Sequence, residues 1–365
     1  MTDAATDIVR CPACAEAVVP GDAFCESCGA AVSAGAVAPT DDDTMPMELP
    51  PNGGRADGTT FSPAPGVADE CLECGGDVLD DGFCSQCGKR APSPRDHFRE
   101  SPVDWVGGVC DRGIAHARNE DAMALAGMPD RSLAVLVVCD GVTSAPDSDR
   151  ASLAAAREAC AALVSTPLPT SQGVAATLSH WSSAISRAAA TANAATIGVA
   201  RSLGNPAEPP SCTFVAAVLH RDVVTVGWCG DSRAYWLPDG GPAVALTLDH
   251  SLGTELMQRG MSQAEAEADS TFHTITRWLG ADSVDPTAET SSRELDAPGW
   301  LLVCSDGLWN YASPPAAVRA VVDDQLAAGH TTPVALAAAL VRWANEQGGH
   351  DNITAALARH EPSLR

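Results

Sequence analysis

Two stretches of this chain share one design. Residues 133–141 read Leu-Ala-Val-Leu-Val-Val-Cys-Asp140-Gly141, and residues 301–307 read Leu-Leu-Val-Cys-Ser-Asp306-Gly307. Each is a short apolar run of the kind that forms a buried strand, and each stops at an Asp-Gly. Two further stretches place acids at predicted strand ends: His116-Ala-Arg-Asn-Glu120-Asp121 and Gly348-Gly-His-Asp351-Asn352. Gly230-Asp231-Ser-Arg233 falls in a turn between two strands. The ordinary reading of a single Asp-Gly is a turn. Several together point elsewhere, because an Asp directly after a buried strand is held rigidly and is partly desolvated. Like charges converging in such a place repel strongly unless cations sit among them. Oxygen-only donors suit Mg²⁺ or Mn²⁺ rather than zinc.

Working outward, the pattern predicts strands over Trp105–Cys110, Ala122–Ala126, Leu133–Cys139, Thr213–Leu219, Val223–Trp228, Ala234–Leu237, Trp300–Cys304 and Ile353–Leu357. Helices are predicted over Ser148–Leu163, Gln172–Arg201, Pro314–Leu326 and Pro333–Glu346, the last two opened by a Pro suited to a first turn. In the second helix Val174, Leu178, Trp181 and Ile185 recur at helical spacing and mark its expected buried stripe. Tight connections such as His220-Arg221-Asp222 imply antiparallel sheets with helices packed outside, an α+β architecture.

Composition excludes several functions. Of 365 residues, 47 are acidic and 22 basic, giving a formal charge of −25. Such a field repels phosphate backbones and anionic lipid, so neither nucleic acid nor a membrane surface is an expected partner. The only lysine, Lys89, has no Gly-rich phosphate loop before it, which excludes P-loop ATPase and protein kinase chemistry. The amino terminus has neither a basic region nor an apolar stretch, and the longest apolar runs, Leu133–Cys139 and Val334–Val341, are too short to span a bilayer. A soluble, cytoplasmic protein is the expectation.

Eight of the 14 cysteines form four Cys-x-x-Cys pairs: Cys11/Cys14, Cys25/Cys28, Cys71/Cys74 and Cys84/Cys87. They make an internal repeat, with Phe24 and Phe83 each directly before a second pair. Spacers of ten and nine residues permit two tight ribbons, each offering four thiolates to a structural zinc ion. A disulfide framework would need an oxidising compartment. The predicted organisation is a zinc ribbon over 1–30, a flexible linker over 31–69, a second ribbon over 70–90, a linker over 91–102 and a main domain over 103–361. The segment resembles the double zinc ribbons attached to many bacterial signalling proteins. Residues 1–30 hold five acids and one base, which favours protein docking over nucleic-acid binding; a metal-stapled spacer remains open.

The main domain resembles the metal-dependent serine/threonine protein phosphatases of type 2C in their compact bacterial form. The resemblance covers 103–360 through Asn119-Glu120-Asp121, Asp140-Gly141, Ser211-Cys-Thr213, Gly230-Asp-Ser-Arg-Ala-Tyr235, Leu248-Asp-His-Ser-Leu252, Thr276-Arg-Trp-Leu-Gly280, Ser305-Asp-Gly307 and Asp351-Asn352. It implies an α-β-β-α sandwich of two antiparallel sheets flanked by helices. It also implies a binuclear Mg²⁺ or Mn²⁺ centre, with Asp140 bridging, the Gly141 carbonyl on the second ion, and Asp306 and Asp351 on the first. Glu120 and Asp121 would hold water beside the ions. The implied substrates are phosphoserine and phosphothreonine proteins made by a bacterial kinase, and a monomer is expected.

Three positions depart from the family pattern. His116 stands where an Arg usually binds the substrate phosphate, and Arg118, two residues on, is the alternative ligand. Val142 replaces the His that follows Asp-Gly in many eukaryotic relatives. Asn310 stands where an Asp often shares a third, weaker metal with the residue here numbered Asp231. These departures keep a second reading in play: a catalytically weak or inactive phosphatase-like domain that binds phosphoproteins, with the ribbons as docking arms. Cys110, Cys139, Cys160, Cys212, Cys229 and Cys304 lie in apolar contexts and read as small buried hydrophobes.

Overall fold

The computed structural model describes residues 9–10, 17–18, 58–61, 71, 74–79, 82–91, 93–142, 146–170, 173–262, 265–266, 268–269 and 271–362. The chain divides into two units, Met1–Glu48 and Leu49–Arg365. In the first, β1 (Val9–Arg10) pairs antiparallel with β2 (Ala17–Val18). Cys11, Cys14, Cys25 and Cys28, the predicted ligands of the first ribbon, lie outside the described residues.

The second unit begins with β3 (Thr60–Phe61), β4 (His97–Val103), β5 (Val106–Asp111), β6 (Ala122–Gly127) and β7 (Leu133–Cys139). Two helices follow, α1 (Ser148–Ser165) and α2 (Val174–Ser202). Next come β8 (Ser211–Cys212), β9 (Phe214–His220), β10 (Val223–Cys229), β11 (Arg233–Pro238) and β12 (Val244–Ala245). The short α3 (Leu252–Gln258) leads to β13 (Leu279–Gly280), β14 (Glu289–Glu294) and β15 (Gly299–Cys304). The chain closes through α4 (Asp306–Trp309), α5 (Pro315–Ala327), α6 (Pro333–Gln347) and β16 (Ile353–His360).

Two six-stranded antiparallel sheets result, in the orders β14-β10-β9-β7-β6-β3 and β12-β11-β15-β16-β5-β4. The run 133–139 is apolar at every position because both of its faces are covered. Alternate residues Val135 and Val137 face α1 and α2, whereas Leu136 and Val138 enter the layer between the sheets. There they meet Trp236, Leu301, Val303 and Ala356 of the other sheet. The outer face of that sheet packs on α5 and α6 through Leu302, Leu336, Leu340 and Leu357. The order is helix, sheet, sheet, helix. Alanines at 155, 159, 184, 188 and 192 let α1 and α2 approach the sheet closely, and Trp181 fills the space they leave.

The structure corrects the sequence reading in three places. Residues 97–102 fall in the expected linker, yet they belong to the strand His97–Val103 at the edge of the second sheet, paired with β5. Its residues are polar enough to look like a connector, yet His97 Nδ1 lies 2.6 Å from Asp111 Oδ2 and the Leu125 N–H donates to Glu100 Oε2 at 2.7 Å. Thr60–Phe61, inside the expected flexible linker, pairs with Ala126 and Gly127 at the edge of the first sheet. Val174, expected in the buried stripe of α2, is 39% exposed, because the stripe begins one turn later at Thr177 and Trp181.

Candidate active site

The acids predicted from the sequence lie at one end of the sandwich because the strands that carry them end there. Asp140 follows β7, Asp306 follows β15 by one residue, and Asp351 precedes β16 by one residue. Asp231 sits in the turn between β10 and β11, and Asp121 directly before β6. Asp140 is tied down by its main chain: its N–H donates to Thr213 Oγ1 at 3.0 Å and its carbonyl accepts from the Thr213 N–H at 2.7 Å. The Gly141 N–H donates to the Glu120 carbonyl at 3.1 Å. A Cβ at Gly141 would meet that carbonyl at 2.7 Å, so only glycine fits there.

The carboxyls share one electrostatic problem. Burial pushes Asp140 well above the usual carboxylate range, and Asp121, Asp306, Asp351 and Asp231 push it further. Asp231 is raised in the same direction by burial and then by Asp306 and Asp249. Burial and the charge of Asp351 bring Asp306 up to about 6. Asp121 is raised to about 7 by burial, although Ser305 Oγ and Thr354 Oγ1 each donate to its Oδ2 at 2.7 Å. Asp121 Oδ1 and Asp306 Oδ1 are buried with no hydrogen-bond partner. Buried anionic oxygens without donors, surrounded by other anions, are unstable unless they take up protons or cations complete them. Hard oxygen donors of this kind fit Mg²⁺ or Mn²⁺.

The remaining predicted residues take other positions. Arg118 Nε and Nη2 donate to Glu120 Oε1 at 2.9 and 2.6 Å, so the buried Glu120 carboxylate is neutralised by a half-exposed guanidinium. His116 Nε2 lies 3.3 Å from Asp351 Oδ1. Asn310 Nδ2 donates to Asp306 Oδ2 at 3.1 Å. Val142 sits beside Ser211, its N–H donating to the Ser211 carbonyl at 3.0 Å.

Sequence reasoning quoted Asn352, Arg233 and Asp249 within motifs but gave them no role, and it passed over Thr354 and Trp309. Asn352 Oδ1 accepts from the Glu120 N–H at 2.7 Å, while its Nδ2 donates to the carbonyls of Arg112 and Arg118 at 2.7 and 3.1 Å. One side chain therefore fixes the whole loop before β6. Thr354 carried a readable signal, a lone hydroxyl in the apolar stretch 353–358 of its strand. Trp309 Nε1 donates to the Asp231 carbonyl at 3.0 Å, and the Arg233 guanidinium lies over the Trp309 ring at 3.5 Å. Arg233 is itself held by both oxygens of Asp249, at 2.8 and 2.6 Å.

All six cysteines outside the amino-terminal repeat are buried. Burial raises the thiols of Cys110, Cys139, Cys160, Cys229 and Cys304, so they are poor nucleophiles. The second cysteine set is different. The Sγ atoms of Cys71, Cys74, Cys84 and Cys87 all lie within 4.8 Å of one another. Cys71 and Cys87 are 3.5 Å apart, and Cys74 and Cys84 are 3.4 Å apart. Tetrahedral zinc with bonds of about 2.3 Å spaces its sulfurs by roughly 3.8 Å, so the cluster is close to ligand geometry. The N–H groups of Cys87 and Gln86 point at Cys84 Sγ, at 3.5 and 3.4 Å, and bring its pKa down to about 6.

Comparison with known proteins agrees with both halves. Residues 113–345 match the model of the family described as protein phosphatase 2C, and residues 11–88 match the double zinc ribbon. Protein phosphatase PhpP of Streptococcus pneumoniae is 38% identical over 130 residues, 35% of this chain and 49% of that protein. Serine/threonine phosphatase stp of Listeria welshimeri is 31% identical over 146 residues, 40% of this chain and 55% of its own. The chain thus matches about half the length of these curated relatives. Among solved structures, serine/threonine phosphatase Stp1 from Staphylococcus aureus superposes with a TM-score of 0.56 at 22% identity, covering 71% of this chain and 96% of that one. The catalytic domain of serine threonine protein phosphatase PstP, solved in complex with two manganese ions, gives 0.51 at 23% identity, covering 70% and 98%.

Proposed function

Because the chain belongs to the protein phosphatase 2C family, we propose that it hydrolyses phosphoserine and phosphothreonine in proteins. The observation that carries this reading is the set of buried carboxylates whose mutual repulsion divalent cations would relieve, with Asp121 Oδ1 and Asp306 Oδ1 left without donors. Asp140, Asp306 and Asp351 would hold two divalent ions, the Gly141 carbonyl would add a neutral oxygen, and Asp231 would serve a weaker third site. When bound, Mn²⁺ or Mg²⁺ supplies Lewis-acid chemistry, neutralising phosphoryl oxygens and acidifying water.

The chain's own residues do the rest. Glu120 and Asp121 orient water beside Asp140, their positions set by Arg118, Ser305 and Thr354. Either Arg118, through its half-exposed guanidinium, or His116, 3.3 Å from Asp351 Oδ1, would bind the substrate phosphate. Water attacks phosphorus in line and the Ser or Thr oxygen departs, with no covalent phosphoenzyme. Val142 contributes no proton, so solvent protonates the leaving oxygen. Each cysteine quartet would hold one structural zinc. Among the described residues no helix is long and apolar enough to cross a membrane. The same reading makes the protein a cytoplasmic monomer that reverses a serine/threonine kinase.

The deciding experiment is release of phosphate from a phosphothreonine peptide. Turnover is expected with Mn²⁺, none with EDTA, and a loss of at least a hundredfold in Asp306→Asn. Full turnover in Asp306→Asn would overturn the assignment. Metal-dependent phosphopeptide binding without turnover would favour the adaptor reading instead.

A further inference from the structure

A cavity of about 360 Å³ opens next to the acidic centre. Its position is fixed by a small ladder. Gly141 bridges to Cys212, the Val142 N–H donates to the Ser211 carbonyl, and Leu279–Gly280 pair antiparallel with Ser211–Cys212. Asp140 and the cavity are therefore held by the same backbone hydrogen bonds.

Val142 and Ile275 give the cavity apolar walls, and Trp278 adds an aromatic surface. Glu208 and Asp282 supply two carboxylates to the same lining. Trp278 Nε1 donates to Asp282 Oδ1 at 3.0 Å, which steadies that carboxylate and leaves its other oxygen without a partner among the described residues. Neither Glu208 nor Asp282 has a cationic partner among the described residues. Apolar walls, an aromatic surface and two acids without cations describe a receptor for a long aliphatic stem that ends in a positive charge. A guanidinium satisfies all of these at once, through cation–π contact and charge-assisted hydrogen bonds. The volume accommodates one such side chain with water. The whole chain carries −25, and a phosphorylated substrate is also anionic, so a basic residue near the phosphate offsets the repulsion on approach.

We infer that this cavity selects phosphoprotein substrates with an arginine close in sequence to the phosphorylated residue. The inference rests on the phosphatase reading and specifies its substrate class. Val142, Trp278, Glu208 and Asp282 become the residues that set specificity.

The test uses the full-length chain with Mn²⁺. Phosphothreonine peptides of neutral sequence carry a single Arg, stepped from three residues before the phosphothreonine to three after. One or two positions should raise kcat/KM about tenfold over the Arg-free peptide, through KM and less so at high salt. Glu208→Gln with Asp282→Asn should abolish that gain and leave hydrolysis of p-nitrophenyl phosphate unchanged. The conservative Asp282→Asn keeps the Trp278 hydrogen bond, so a loss reports charge rather than disorder. If p-nitrophenyl phosphate is hydrolysed but no Arg position helps, or the gain survives the double variant, the cavity inference falls and the phosphatase reading stands. If no phosphoester is hydrolysed, the phosphatase reading falls. The cavity is then judged by calorimetric binding of the same peptides, and the absence of an Arg-dependent difference removed by the double variant would overturn it as well.

Discussion

At the residue scale the hydroxyls around Asp121 carry the sharpest consequence. Thr354 Oγ1 donates to Asp121 Oδ2 and also lies 3.1 Å from Cys110 Sγ. Thr354→Val keeps the shape and removes the donor, leaving a buried carboxylate with one donor fewer. Urea unfolding should show a loss of about 1–3 kcal/mol, and peptide hydrolysis should fall at least tenfold. His220 supplies a pH dependence away from the acidic centre. It is buried beside Trp181, with Nδ1 lacking a hydrogen-bond partner, and burial followed by the charge of Arg221 lowers its pKa to about 4. The unfolded chain therefore binds this proton at a higher pH than the folded one. The stability that depends on a neutral His220 is complete above about pH 6.5 and is lost as pH falls toward 4. His220→Gln should flatten the stability profile in that window by up to one proton, at most about 1.4 kcal/mol per pH unit. An unchanged slope would show that His220 already titrates normally.

At the scale of elements, β4 decides where the main domain begins. Its His97 pairs with Asp111, and its Glu100 accepts from the main chain of β6, so it joins the edge of one sheet to a strand of the other. Burial works against ionisation of Asp111, but the hydrogen bond and charge of His97 hold its carboxyl below the usual range. A chain starting at residue 92 should fold and hydrolyse peptide at close to the full-length rate. A chain starting at 104 loses β4, bares the edge of β5 and strands the Leu125 N–H. It should aggregate, or melt well below the longer form by thermal denaturation. A cut after residue 100, where the expected linker nearly ends, falls inside the strand and should behave like the shorter form.

Across the whole molecule two chemistries are kept apart by ligand type. Thiol ligands are soft and the strand-end acids are hard, so the cysteines and the acids would select different metals. The purified full-length chain should carry two zinc ions. Cys71→Ser with Cys74→Ser should leave one, and peptide hydrolysis with Mn²⁺ should persist because the acids draw no ligand from the ribbon. Atomic absorption with a parallel activity assay checks both. The charge of −25 adds a global term: salt screens the repulsion of the anionic p-nitrophenyl phosphate, so its kcat/KM should not fall as ionic strength rises, whereas that for an Arg-bearing phosphopeptide should fall as its attraction to the cavity acids is screened.

The sequence by itself determined the features that depend on neighbours along the chain. Unbroken apolar runs such as 133–139 and 300–304 are strands whose two faces are both covered, and an Asp placed after such a run has little freedom to point elsewhere. Paired cysteines at fixed spacing declared the ribbons in the same way. Only the tertiary structure decided what depends on partners far away in sequence. Asn352 can be placed in a motif from the sequence, but its role is set only when the fold brings it against the main chain of residues 112–120. Glu100 and His97 look like linker residues because their partners, Leu125 and Asp111, are supplied by other strands. Val174 fits the helical spacing of the stripe but is exposed, since where a stripe begins is set by what the helix packs against. The cavity between Val142, Glu208 and Trp278 joins three loops that no local pattern connects. Periodicity reports which face of an element is apolar; the layering of two sheets decides which groups meet.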